Sequence, residues 1–148
     1  MNWTQYISAI GIPMIAALAA WIAFRQFHIA RNKLKLDLFD KRMEVYGAVR
    51  DSLKSIAQQG NLTPEQQVQY LQGTRSARWL FGPEVSEYID KTLWHRIVDL
   101  ELYHSMSKDH KEPDRSKYIK ERAETMKWMI RQHEEFDALV EQYLTIRH

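Results

Sequence analysis

Chemistry in this chain would have to come from a short set of side chains. There are six histidines, His28, His95, His104, His110, His133 and His148, and no cysteine. Thiolate metal sites, disulfides and cysteine nucleophiles are therefore excluded. No two histidines stand in HExxH spacing, and no Gly-rich phosphate loop or nucleophile elbow occurs. His104 and His110 flank a polar stretch with Asp109, a pattern far more common in solvated loops than in metal sites. His133-Glu134-Glu135 lies on an amphipathic stretch where a core or interface histidine is expected. No catalytic residue, metal ligand or cofactor is nominated, and no enzyme is expected. What remains is cationic. Arg75 and Arg78, three apart beside Trp79, read as one side of a helix able to hold a phosphate or stack on a base. Their alternative use is pairing with Glu84 or Glu87. Arg31, Lys33 and Lys35 suit lipid phosphates, or the backbone of a nucleotide or oligonucleotide.

The elements that carry these groups begin with an uncharged segment. The chain has 148 residues and net charge +2, but residues 1–24 hold none of its charged side chains. Ile7–Phe24, ISAIGIPMIAALAAWIAF, has Ser8 as its only polar side chain. Trp3 and Tyr6 mark one end, and Trp21 and Arg25 the other. Trp3 to Trp21 covers about 27 Å at a rise of about 1.5 Å per residue, close to a hydrocarbon core with aromatic residues at both boundaries. Residues 1–24 are expected to be an uncleaved transmembrane anchor, since no positive residue precedes the apolar run as it would in a signal peptide. Arg25, Arg31, Lys33, Lys35, Lys41 and Arg42 follow directly, which by the positive-inside rule predicts the N-terminus outside and the C-terminus in the cytoplasm. Ser8, Gly11, Ile15 and Leu18 recur at helical spacing and are the candidate pore-lining positions, should copies associate. Pro13 can kink the span.

Residues 25–59 form a membrane-proximal basic helix with eight basic and four acidic residues, net +4. Apolar positions Leu36, Phe39, Met43, Tyr46, Leu53 and Ile56, with Leu34, Leu38, Val45 and Val49, predict one wide buried face. Gly60 stops the helix. Residues 60–148 predict a cytoplasmic helical bundle. Thr63-Pro64-Glu65-Gln66 starts a second helix carrying Val68, Leu71, Trp79 and Leu80, with Gly73 a weak point. Gly82-Pro83 starts a third, striped by Val85, Ile89, Leu93, Ile97 and Leu100. After a loop at 105–114, a fourth runs from Arg115 to Ile146 with stripe Ile119, Met126, Met129, Phe136, Val140 and Tyr143. No period-two alternation occurs, so the expected fold is all-α: one transmembrane helix continuing into a bundle of about four helices.

Two blocks, Ala30–Tyr46 (ARNKLKLDLFDKRMEVY) and Trp79–Tyr88 (WLFGPEVSEY), resemble a widespread group of small bacterial single-pass membrane proteins. That resemblance implies the order of span, basic LDLFDKR helix and LFGPEV junction. The build is also similar to membrane effectors of antiphage systems such as the Hailong type, a likeness of build and not of motif. It implies a homo-oligomer, an ion channel opened under control of its cytoplasmic head, and a role in antiviral defence. The other function class is a non-conducting membrane-anchored scaffold, or a ligand-binding receptor, that recruits a cytoplasmic regulatory protein.

Overall fold

In the computed structural model, residues 3–145 are described, with side chains described at Gly11 and from Pro13 onward. Every element among them is helical. The order is α1 (Trp3–Gln59), α2 (Pro64–Thr74), α3 (Ala77–Leu80), α4 (Pro83–Glu87), a π-helical segment (Tyr88–Leu93), α5 (Trp94–Lys108) and α6 (Arg115–Leu144). Contacts divide the chain into two units, Met1–Leu38 and Phe39–His148.

The described residues of the first unit all belong to α1, with Pro13 inside the helix. Every residue from Pro13 to Leu38 is exposed. It includes the one segment, among the described residues, long and apolar enough to cross a membrane. The wide buried face expected from Leu34 onward starts later. Leu34 is 69% exposed, Leu36 53% and Leu38 38%, whereas Val45, Val49, Leu53 and Ile56 are buried. Apolar spacing alone does not reveal where the covering elements stop.

The second unit is a helical bundle around one core, to which Leu62, Tyr70, Val85, Ile89, Leu93, Ile97, Leu100, Met129, Phe136 and Val140 also belong. Gly60 closes α1 with φ +85°, and its N–H donates to the Ile56 carbonyl at 2.8 Å. Only glycine takes this left-handed turn without cost. The capping box forms as expected: Gln66 N–H donates to Thr63 Oγ1, and Thr63 N–H to Gln66 Oε1. The second helix does not run on to Leu80. It ends at Thr74, whose hydroxyl donates to the Tyr70 carbonyl at 2.8 Å, and α3 is a separate turn. Val68, Leu71 and Trp79 are exposed, and Tyr70 and Thr74 fill the core in their place. Gly73 is a contact and not a weak point: a Cβ there would stand 2.5 Å from Ala48 Cβ.

The third helix is continuous but not uniformly α, since it passes through the π segment. Val85, Ile89, Leu93 and Ile97 are spaced by four throughout. At about 100° per residue each such step drifts about 40°, and three accumulate about 120°. The wider π turn absorbs that drift and keeps all four buried. Tyr70 adds a tether, its buried hydroxyl donating to the Ile89 carbonyl at 2.9 Å. Helix α5 reaches Lys108, so the loop is shorter than 105–114, and Arg115 Nε donates to the Ser107 carbonyl across it. In α6 the buried positions are Thr125, Met129, Gln132, Phe136 and Val140. Ile119 is exposed, and Ile146 lies outside the described residues.

Candidate functional site

The two motif blocks meet in the head. Arg42, from the first, sends Nε to the Leu80 carbonyl (2.8 Å) and Nη1 to the Tyr143 carbonyl (2.9 Å). Its guanidinium lies 5.9 Å from the Phe81 ring centre and 5.4 Å from that of Tyr143, and the two rings stand edge-to-face. A planar donor fork beside two aromatic rings is a setting for arginine, not lysine. Gly82 permits this closeness, because a Cβ there would strike Tyr143 Oη.

One turn further along α1, Tyr46 stacks on Phe136 at 5.9 Å between ring centres. Tyr88, the last residue of the second block, stacks on the same ring, also at 5.9 Å. Tyr46 Oη donates to Asp137 Oδ1 (2.9 Å), and Arg50 Nη1 reaches Asp137 Oδ2 (3.2 Å). Tyr88 Oη bonds Gln132 Oε1, and Gln132 Nε2 donates to the Trp128 carbonyl. Burial, then the Asp137 hydrogen bond and charge, push the Tyr46 hydroxyl up; Arg50 opposes them. Burial and the Glu135 charge push Tyr88 up as well. Neither phenol ionises near neutrality, so both serve as fixed donors. Gln132 is fully buried and His133 half-buried, so the glutamine takes the core place expected of His133. A buried amide in an apolar stripe needs a partner, and Tyr88 on the facing block was the signal available for it.

Arg75 and Arg78 do not share one helix. Arg75 caps α2 and Arg78 belongs to α3. Arg78 lies over the Trp79 ring at 5.2 Å, and Trp79 is 79% exposed. Glu87 pairs with Lys91 at 2.7 Å. A cavity of 390 Å³ opens beside α1 and α2, lined by Glu44, Asp51, Ser52, Ser55, Gln66 and Gln69 among others. Its walls are acidic and amide-bearing, and none of the five nominated cations lines it. Among the described residues, no group of three or more His, Asp or Glu is gathered as for a metal ion.

In the first unit Arg31, Lys33 and Lys35 are exposed along α1. Arg25 lies 5.2 Å over the Trp21 ring, a cation–π pair suited to a headgroup boundary. Ile15 is 70% exposed and Leu18 57%, and a Cβ on Gly11 would meet nothing within 4 Å. The side chains of Trp3, Tyr6 and Ser8 lie outside the described residues. Compared with protein-family models, curated proteins and solved structures, the chain matches none of them.

Proposed function

We propose that this chain is a homo-oligomeric bacterial inner-membrane protein whose spans form a gated ion-conducting pore, controlled through its cytoplasmic helical head. One observation carries the reading. Helix α1 is uncharged up to Arg25, and its side chains from Pro13 to Leu38 are all exposed. An apolar helix this bare in water needs lipid, other copies, or both. Gly11, Ile15 and Leu18, with Ser8, are the lining candidates, and a ring of apolar side chains closes a narrow pore by dewetting. A pore held shut until its head receives a signal is the device a membrane effector of antiphage defence requires. The test is direct. The detergent-solubilised protein is expected to be a multimer and, in planar bilayers, to conduct in steps. Exchange of residues 1–24 for an unrelated anchor is expected to abolish conductance. A monomer, or conductance that survives the exchange, overturns the pore.

A second reading is favoured by the exposed Trp79–Arg78 pair: a non-conducting scaffold or receptor that recruits a protein partner, or an anionic nucleotide or oligonucleotide, through the head. It expects function to survive the anchor exchange. For the anionic ligand, Arg75→Ala with Arg78→Ala should abolish retention of a nucleotide while far-UV circular dichroism stays unchanged. Unchanged retention rejects that ligand site.

A further inference from the structure

The cavity beside α1 and α2 lies wholly in the second unit. Its volume of 390 Å³ falls in the range of small-molecule sites, about 300–1,000 Å³. Two carboxylates, Glu44 and Asp51, line it, and no cationic side chain does. At about 100° per residue, Glu44, Asp51 and Ser55 fall within about 40° of one another, and the two acids stand about 10 Å apart along α1 at a rise of about 1.5 Å per residue. Between them the floor is Gly47 and Ala48. Nothing inside the chain calls for glycine at position 47. A glycine within a helix is destabilising relative to alanine. Gly47 has no positive φ, and a Cβ there would meet nothing within 4 Å. Gly73, by contrast, is required by its contact with Ala48. What Gly47 adds is room, because bare backbone on a cavity wall lets a ligand come close.

We propose that this cavity binds a linear aliphatic polyammonium ion, with one ammonium on Glu44, another on Asp51 and the methylene chain between them over Gly47 and Ala48. The site is independent of whether the span conducts. At one end the chemistry is already present. Lys41 Nζ sits on both carboxylate oxygens of Glu44, at 2.9 and 3.1 Å, so Glu44 takes an ammonium as it stands. That pair is exposed and therefore weak, and an incoming ammonium displaces Lys41 at little cost. Asp51 has no ion pair among the described residues. The wall between the acids is rich in acceptors. Ser52, only 8% exposed, donates its hydroxyl hydrogen to the Ala48 carbonyl, which leaves its oxygen to accept. Gln69 adds a side-chain carbonyl. An ammonium brings donors only, so these walls suit it, whereas an anion is repelled by two carboxylates. A single metal ion fits less well. The acids are two turns apart, and among the described residues no group of three or more His, Asp or Glu is gathered. Two positive charges held apart by an apolar chain match the spacing.

The test uses the full detergent-solubilised chain, with spermidine as the probe and isothermal titration calorimetry as the measurement. One spermidine is expected to bind per chain, and magnesium ion at the same concentration should not displace it. Asp51→Asn should weaken binding about tenfold, as the loss of one charge-assisted hydrogen bond would. Lys41→Gln should tighten it about threefold, because it removes the internal competitor for Glu44. Gly47→Ala decides between the cavity and its rim. It is expected to weaken binding about fivefold, while the midpoint of urea unfolding holds or rises. Glu124→Gln removes an exposed carboxylate of α6 outside the cavity and should leave binding unchanged. Displacement by magnesium, or an equal loss in Glu124→Gln, makes the ion a mere counterion and overturns the site. Full affinity in Gly47→Ala places the ion outside the cavity and overturns it too. So does the absence of binding heat at millimolar spermidine.

Discussion

Removing the guanidinium of Arg42 would strand the Leu80 and Tyr143 carbonyls and take the cation away from the Phe81 and Tyr143 rings. Hydrogen bonds from a charged donor contribute about 1.5–3 kcal/mol each, less where water reaches them. Arg42→Ala is expected to lower the stability of the detergent-solubilised protein by about 2–4 kcal/mol, measured as the midpoint of urea unfolding. Arg42→Lys should recover less than half, since an ammonium cannot serve both carbonyls from one plane. The motif was legible as a string of letters, but its purpose was not. Nothing in the spacing of LDLFDKR and LFGPEV says that an arginine of one caps the carbonyl of a leucine in the other. Two glycines make a matched pair of tests. Gly73→Ala drives a methyl into Ala48 and is expected to cost about 1–3 kcal/mol. Gly47→Ala meets nothing within 4 Å and should gain about 0.5–1 kcal/mol from helix propensity. His104 adds a pH dependence. Burial, then the charges of Arg122 and Lys108, hold its pKa below the usual value near 6.5, with Glu101 opposing them. Its Nδ1 is buried without a partner. The unfolded chain then binds the proton more readily, so His104 contributes stability above pH 6.5 that is lost as pH falls toward its folded pKa. His104→Gln is expected to flatten the fall in unfolding midpoint over that acidic range; an unchanged slope would reject this assignment.

At the scale of elements, composition and period gave the all-helical class, the capping box, the stop at Gly60 and the buried stripe of the third helix. The failures have physical causes. The stripe Val85, Ile89, Leu93, Ile97 predicts a plain α-helix only loosely, since constant spacing by four does not fit 3.6 residues per turn. The π segment was legible in that spacing. Deleting Thr92, which is exposed, converts the stripe to steps of four, three and four. The variant is expected to fold with a regular helix and to unfold cooperatively, within about 1.5 kcal/mol of the parent. Loss of a cooperative transition would show that the π turn is needed for more than phase. The break at Arg75–Ser76 was not legible, because Thr74 ends α2 through its own side chain and a core that accepts Tyr70. That break separates the two arginines assigned to one face. Leu34 and Leu38, expected on the buried face, are exposed for a different reason: hydrophobic period reports a face to be covered, not what covers it.

For the molecule as a whole, the two units have opposite solutions to apolar surface. In the head, residues Phe39 onward cover their own core with side chains from every element. From Pro13 to Leu38 nothing from the same unit does so, and the apolar surface stays exposed. Membrane extraction checks this scale. On the proposed membrane-anchored reading, the protein is expected to stay with membranes through high salt and alkaline carbonate, as a hydrophobic and not an ionic attachment would. Release by salt alone would reduce the basic run after Trp21 to its only hold. Outside-in proteolysis should spare the C-terminal bulk.

The stacking of Phe136 with both Tyr46 and Tyr88 has a bearing on descent. Three rings drawn from three distant stretches of chain form one object, so a lineage cannot alter them one at a time at equal cost. A descendant that exchanges the ring at position 46 for an aliphatic side chain is expected to carry a compensating change at 88 or 136. Paired substitutions at these sites, in any future set of sequences that share both blocks, would be the fossil trace of that stack.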